Sequence, residues 1–311
     1  MQQTVKKPVT FSGVGLHTGA DITMTVYPAP ADHGVVFKRV DLVEAGAAAL
    51  LPARWDMVEH FELCTLLKND QGHSVSTIEH IMSALCGCGI DNALIEIDGP
   101  EVPIMDGSSL KFVSVLVSNG IVIQHRPRKA LRIVEAVEVE ENGKKAAFVP
   151  SHIPVYTFTI DFPGTAIGRQ DLTFEHTGAE SYCTMIAGCR TFAKLEEIEY
   201  LRSKGLIKGG SLENALVVDK DTVVNGPLRF KDEFVRHKIL DAMGDVALSG
   251  HLMIGHFISS KGGHALTNKL LRKLFDTPQA YRLEDCYAEF EGLQDLPRSV
   301  GGKRKVFSSI S

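Results

Sequence analysis

Ser76-Thr77-Ile78-Glu79-His80-Ile81-Met82-Ser83-Ala84-Leu85-Cys86 is the stretch on which the fold turns. Ile78, Ile81, Met82 and Leu85 recur at i, i+3, i+4 and i+7, the stripe of an amphipathic helix. The spacing predicts a helix from Ser74 to Cys86, ended by Gly87 and Gly89. At about 100° per residue, His80 lies about 200° round from Ile78, away from the apolar stripe. A second helix of the same kind is predicted over roughly Glu233 to Leu248, with Val235, Ile239, Ala242 and Val246 on one face and Gly250 beyond its end. His237 again sits opposite that face. His80-Ile-Met-Ser-Ala-Leu and His237-Lys-Ile-Leu-Asp-Ala even echo each other, a weak internal repeat. The expected architecture is α+β: two similar layered domains pressing polar helix faces together, with a cleft between them where small-molecule sites form.

Around these helices the strand signal is regular. Ile22, Met24 and Val26 alternate before Pro28 and Pro30, Val35-Val36-Phe37 resumes after Gly34, and Ala93-Leu94-Ile95-Glu96-Ile97 closes at Asp98-Gly99-Pro100. The polar, basic stretch Gln124 to Lys129 reads as a linker, and strand signals restart at Ile133, Val137, Val139, Phe158 and Ile160. The expected division is a first domain over residues 1–125, a second over 130–290 and a tail over 291–311, whose Gly301-Gly302-Lys303-Arg304-Lys305 reads as a solvated end. A chain of 311 residues, 44% hydrophobic and 23% charged, can bury cores of that size without crosslinks.

A net charge of −5 gives no broad positive field, so nucleic acid is not an expected partner. No signal peptide follows Lys6 and Lys7, and no run reaches the roughly 18 apolar residues of a membrane span. A cytoplasmic location is expected. The six cysteines form no C-x-x-C pair and read as reduced thiols. Cys64, within Leu63-Cys64-Thr65-Leu66, reads as a small buried hydrophobe on a strand.

The polar faces carry the chemistry. His237 and Asp241 are four apart and stack on one helix face, with Asp245 one turn further. With His80 from the facing helix they form a two-imidazole, one-carboxylate set with an open position, as in catalytic zinc sites. Set against this, His-x-x-x-Asp on a helix is commonly a solvated face. Glu79 projects about 100° from His80, placed to take a proton from an attacking water without ligating the ion. The competing reading is that Ser76-Thr77-Ile78-Glu79 is a capping box and Glu79 only starts the helix. His264 follows Gly262-Gly263 at the start of a helix marked by Leu266, Leu270, Leu271 and Leu274. That helix end lowers its pKa and a carboxylate such as Asp245 raises it again, keeping an imidazolium for a leaving amine. Its simpler role is a turn or cap residue. Lys238 and Lys261 are candidate phosphate ligands beside the site.

Seven ordered segments resemble one family, the UDP-3-O-acyl-N-acetylglucosamine deacetylases of lipid A biosynthesis. They are Gly13-Val14-Gly15-Leu16-His17-Thr18-Gly19, Ser76 to His80, Gly89-Ile90-Asp91-Asn92, Pro103-Ile104-Met105-Asp106-Gly107-Ser108, Arg190-Thr191-Phe192, Asp232 to Ala242, and Gly263-His264-Ala265-Leu266. The resemblance runs from about residue 10 to about residue 275. It implies Zn2+ on His80, His237 and Asp241, Glu79 as general base, and His264 supported by Asp245 as general acid. It adds Thr191 as oxyanion donor, Lys238 near the diphosphate, and Phe162, Phe192 and Lys261 as substrate contacts. It also implies helices sandwiched between two sheets and a small β-α-β-like insert in the second domain. By the same resemblance that insert would shape an acyl-chain passage involving Ile198, Leu201, Gly210, Ser211 and Val217. Gly210 and Cys64 complete the candidate substrate contacts.

The expected substrate is thus a small molecule, UDP-3-O-acyl-N-acetylglucosamine, and the expected state a monomer. Where the family often has Gly-Phe-Met after Thr-Phe, this chain has Ala193-Lys194-Leu195, a cation for an aromatic near the mouth of the passage. Two rival classes share the ligand set: an iron(II) oxygenase using the same facial triad, and a UDP-sugar or lipid-binding module with a closed, structural zinc site.

Overall fold

Ile22, Met24 and Val26 all face the core from the strand Asp21–Pro28, as the period of two demands. In the computed structural model, which describes residues 1–61 and 63–286, that strand lies second in a five-stranded sheet. Its order is Val9–Val14, Asp21–Pro28, Ala93–Ile97, Val35–Arg39, Leu50–Pro52. All neighbours are antiparallel except Ala93–Ile97 and Val35–Arg39, which are parallel. A second five-stranded sheet repeats the pattern: Val137–Glu141, Lys144–Val149, His256–Ser260, Val155–Phe162, Gly168–Glu175, with one parallel pair at the same place. The weak repeat read from two short helical stretches therefore extends to whole sheets.

The described residues hold six α-helices: α1 (Glu79–Gly87), α2 (Leu110–Asn119), α3 (Ala179–Met185), α4 (Leu195–Ser203), α5 (Glu233–Ala247) and α6 (His264–Phe275). In each half the middle strand follows the interior helix, α1 before Ala93–Ile97 and α5 before His256–Ser260. Helix α2 packs on the first sheet, α5 and α6 on the second, and α1 lies against α5 between them. Sandwiched in this way, α1 buries its polar face as well as its apolar one: Glu79 and His80 are each 4% exposed. Gly244 sets the helix spacing, because a Cβ there would stand 2.1 Å from the carbonyl oxygen of Glu79. The predicted β-α-β insert is present as Phe192–Lys194, α4 and Leu216–Asp219, with the two strands parallel.

The start of the first interior helix needs correction. The helix predicted from Ser74 begins only at Glu79: Ser74–Ser76 is a strand paired with Leu66–Lys68, and Thr77 turns the chain at φ 58°. No capping box forms, since Ser76 Oγ donates to the Pro100 carbonyl and the helix start has no side-chain cap. The stretch read as a linker joins the strands Ile121–Ile123 and Arg128–Ile133 and is held by specific contacts. Gln2 N donates to Arg126 O and Gln124 N to Gln2 O, both at 2.8 Å, and the Arg128 fork grips Asp91 at 2.7 and 2.8 Å. No helix among the described residues is long and apolar enough to cross a membrane. The tail expected over 291–311 lies outside the described residues, as does the expected end of the second domain at 290.

Gly244→Ala is expected to force α1 and α5 apart and to destabilise the fold by about 1–3 kcal/mol, the usual cost of overpacking. Urea unfolding checks this, and an unchanged midpoint would refute the spacing role of Gly244.

Candidate active site

Helical spacing brings His237 and Asp241 onto one face of α5, and the α1–α5 contact delivers His80 to the same point. His237 Nε2 lies 3.3 Å and His80 Nε2 3.6 Å from Asp241 Oδ1. The three donor atoms all fall within 4.8 Å of one another, and all three residues are buried. His237 Nδ1 donates to the Cys189 carbonyl at 3.0 Å; since a carbonyl only accepts, Nε2 is left with its lone pair facing the cluster. Asp241 Oδ2 accepts from Lys238 Nζ at 2.6 Å, whereas Asp241 Oδ1 has no hydrogen-bond partner. Burial pushes the Asp241 carboxyl up, but His237 and Lys238 outweigh it and hold the group well below the usual carboxylate range. Burial drives His237 down to about 4, so its imidazole is neutral at pH 7. A buried, orphaned carboxylate oxygen facing two imidazole nitrogens is costly unless a cation sits among them. The donor set fits a divalent ion of the zinc class.

Beside this cluster lies a second one, built to handle protons. Glu79 is buried, which raises its pKa; its Oε2 accepts from the Thr65 backbone N–H at 3.1 Å and its Oε1 stands 3.9 Å from His264 Nε2. His264, the first residue of α6, donates from Nδ1 to Asp245 Oδ2 at 2.8 Å. Burial lowers the His264 pKa, but Asp245 raises it by more and the group reaches about 9. Asp245 is held in turn by the Thr65 hydroxyl.

Both clusters open into a cleft of about 330 Å³ whose wall includes Thr191, Phe162, Phe192, Lys238 and Lys261. Thr191 is fixed through its backbone: its N–H donates to Gly107 O and its carbonyl accepts from Leu216 N, each at 2.8 Å. Gly107, at φ 80°, has no room for a side chain, since a Cβ would meet the Asn214 carbonyl oxygen at 2.1 Å. Phe192 packs edge-on to Phe162 and Phe234, with centroids 5.8 and 5.0 Å away. Lys261 pairs with Asp161 at 2.6 Å. The departing residue Lys194 also lines the cleft, held by Glu196 and Glu197.

Cys64 and Gly210 do not line this cleft. Leu63 faces it, but Cys64 lines a neighbouring cavity of about 510 Å³ that shares His264 with the cleft. Burial pushes the Cys64 thiol up, with Glu79 adding to the rise, as for a packed thiol. Gly210 lies behind Leu16, at a position from which a Cβ would be 3.7 Å from Leu16 Cδ1. Ile198, Leu201, Ser211 and Val217 belong to the insert and stand outside the cleft wall.

Sequence reasoning missed Thr65, Lys144 and Glu101. Glu101, fully buried, accepts from the backbone N–H groups of His17 and Thr18, each at 2.8 Å, and from the hydroxyls of Thr18 at 2.7 Å and Thr77 at 3.0 Å. It thereby ties the Gly13–Gly19 loop to the approach to α1. No periodicity marks such a residue.

Comparison with known proteins gives one answer across the chain. The model of the family described as LpxC, UDP-3-O-acyl N-acetylglycosamine deacetylase, matches residues 2–276. A UDP-3-O-acyl-N-acetylglucosamine deacetylase of Haemophilus influenzae is 44% identical over 307 residues, 98% of each chain. The proteins of that name from Shewanella frigidimarina and Citrifermentans bemidjiense are 44% identical over 301 residues and 46% over 283, covering 96% and 91% of each chain. A match over nearly the whole length, on a chain whose buried donors converge as described, means that this protein belongs to the UDP-3-O-acyl N-acetylglycosamine deacetylase family.

Proposed function

We propose that the chain hydrolyses the N-acetyl group of UDP-3-O-acyl-N-acetylglucosamine, giving acetate and the free 2-amine for lipid A synthesis, with zinc held by His80, His237 and Asp241. The observation that carries this reading is the pairing of an orphaned Asp241 oxygen and two imidazoles with the Glu79 and His264–Asp245 proton-handling groups in one cleft. A bound divalent ion would supply Lewis-acid polarisation and a lowered pKa for an attacking water.

The residues of the chain divide the remaining work. Glu79, raised by burial, takes the proton of the attacking water on Oε1. Thr191 donates its hydroxyl to the oxyanion that develops on the acetyl oxygen, a contribution commonly about 10²- to 10³-fold per donor. His264 then delivers its Nε2 proton to the departing amine while Asp245 holds Nδ1, so acetate and amine separate with the proton count balanced. Lys238 and Lys261 neutralise diphosphate oxygens, and Phe162 and Phe192 offer an apolar wall. The six free thiols agree with a reducing compartment, which supports a cytoplasmic location.

Glu79→Ala is expected to lower turnover by at least about 10²-fold while metal content stays near wild type; loss of bound zinc in that variant would make Glu79 a ligand. Chelation should abolish acetate release, leave far-UV circular dichroism largely intact and be reversed by Zn2+, as for a catalytic rather than a structural ion. The imidazolium of His264 persists below about 9 and is lost as pH rises through that value. The basic limb of kcat/KM should therefore lie above neutrality and move to lower pH in Asp245→Asn, which a pH–rate series would detect or refute.

A further inference from the structure

We propose that Thr65 is a positioning residue that locks the proton acceptor Glu79 and the proton donor His264 into one frame. The inference rests on the reaction proposed above and adds a residue to it. Thr65 is 3% exposed, lies just before the strand Leu66–Lys68 and uses each of its polar groups. Its backbone N–H donates to Glu79 Oε2 at 3.1 Å and its carbonyl accepts from Ile78 N at 3.5 Å, which fixes the turn into α1. Its hydroxyl donates to Asp245 Oδ1 at 2.5 Å and stands 3.2 Å from His264 Nδ1.

Asp245 is consequently clamped at both oxygens, by Thr65 on one side and by His264 Nδ1 on the other. A carboxylate held at one oxygen only can rotate about its last torsion, which is broad. Held at both, it fixes the imidazole plane, and with it the direction in which the Nε2 proton points. The same residue's main chain sets the position of the Glu79 carboxylate. A single rigid peptide thus spans the two proton transfers, and misplacement by a fraction of an ångström is costly in such steps. Thr65 touches neither water nor substrate in this account; it acts through Asp245 and Glu79.

The test separates the hydroxyl from the backbone. Thr65→Val keeps shape and the N–H to Glu79 but removes the donor to Asp245, and Thr65→Ala does the same without any steric conflict. Both are expected to lower kcat for acetate release at least about tenfold, a fraction of the 10²- to 10⁴-fold available to general acid–base catalysis. KM should stay within about twofold and zinc content should be unchanged. Thr65→Ser, which keeps the hydroxyl, should restore kcat to within about threefold of wild type. In an Asp245→Asn background the Thr65→Val change should add little, because its target is already lost. Wild-type kcat in whichever of Thr65→Val and Thr65→Ala folds, equal losses in Thr65→Ser and Thr65→Ala, or multiplying losses in the double variant would each overturn the proposal. Absence of acetate release from the wild-type, zinc-loaded protein would instead sink the proposed function itself, so the two failures are distinguishable.

Discussion

Everything at the candidate site depends on how closely α1 and α5 approach. The helices meet where Gly244 faces the carbonyl of Glu79, and that spacing is what lets an imidazole from one half reach a carboxylate from the other. The glycine is not there for backbone freedom, since it sits inside α5. It is there because nothing larger fits. Glycine within a helix costs about 0.5–1 kcal/mol relative to alanine, a cost that the chain bears where the interior helices of the two halves meet.

That approach forces an electrostatic problem and solves it locally. Glu79, Asp241 and Asp245 are all buried around one site, an arrangement that would be strongly unfavourable if all three were charged and alone. Each is given a different environment. Asp241 is held ionised beside the Lys238 ammonium, and Asp245 is paired with His264. Glu79 is shifted upward by burial, which makes it a better proton acceptor than an ordinary carboxylate. Pushing apart the pKa values of neighbouring groups is how one site holds an acid and a base together at one pH.

Legibility followed sequence separation. The apolar stripe of α5 and the i, i+4 placement of His237 and Asp241 come from contacts within one helix, and they read out directly. The start of α1 did not, because Thr77 adopts a left-handed φ that helix periodicity takes no account of, and because the apparent capping serine spends its hydroxyl on Pro100. The sheets were legible as alternating segments, but their shared strand order was not, since pairing joins residues far apart in the chain. Thr65 was invisible for the same reason: its partner Asp245 is 180 positions away. The roles of Glu79 and His264 were open to a reading of helix geometry, whereas that of Thr191 came from family resemblance alone, and Cys64, expected as a substrate contact, lines a different cavity.

The backbone of Thr191 is anchored in two parts of the fold at once. Its N–H is bonded to Gly107 in the first half and its carbonyl to Leu216 in the insert, and the insert's first strand begins at the next residue, Phe192. Under the proposed reaction, the peptide that aims the oxyanion donor is continuous with the first strand of the insert. A shift of this insert would therefore carry the oxyanion donor with it, so changes in the insert and changes in turnover should be correlated rather than independent.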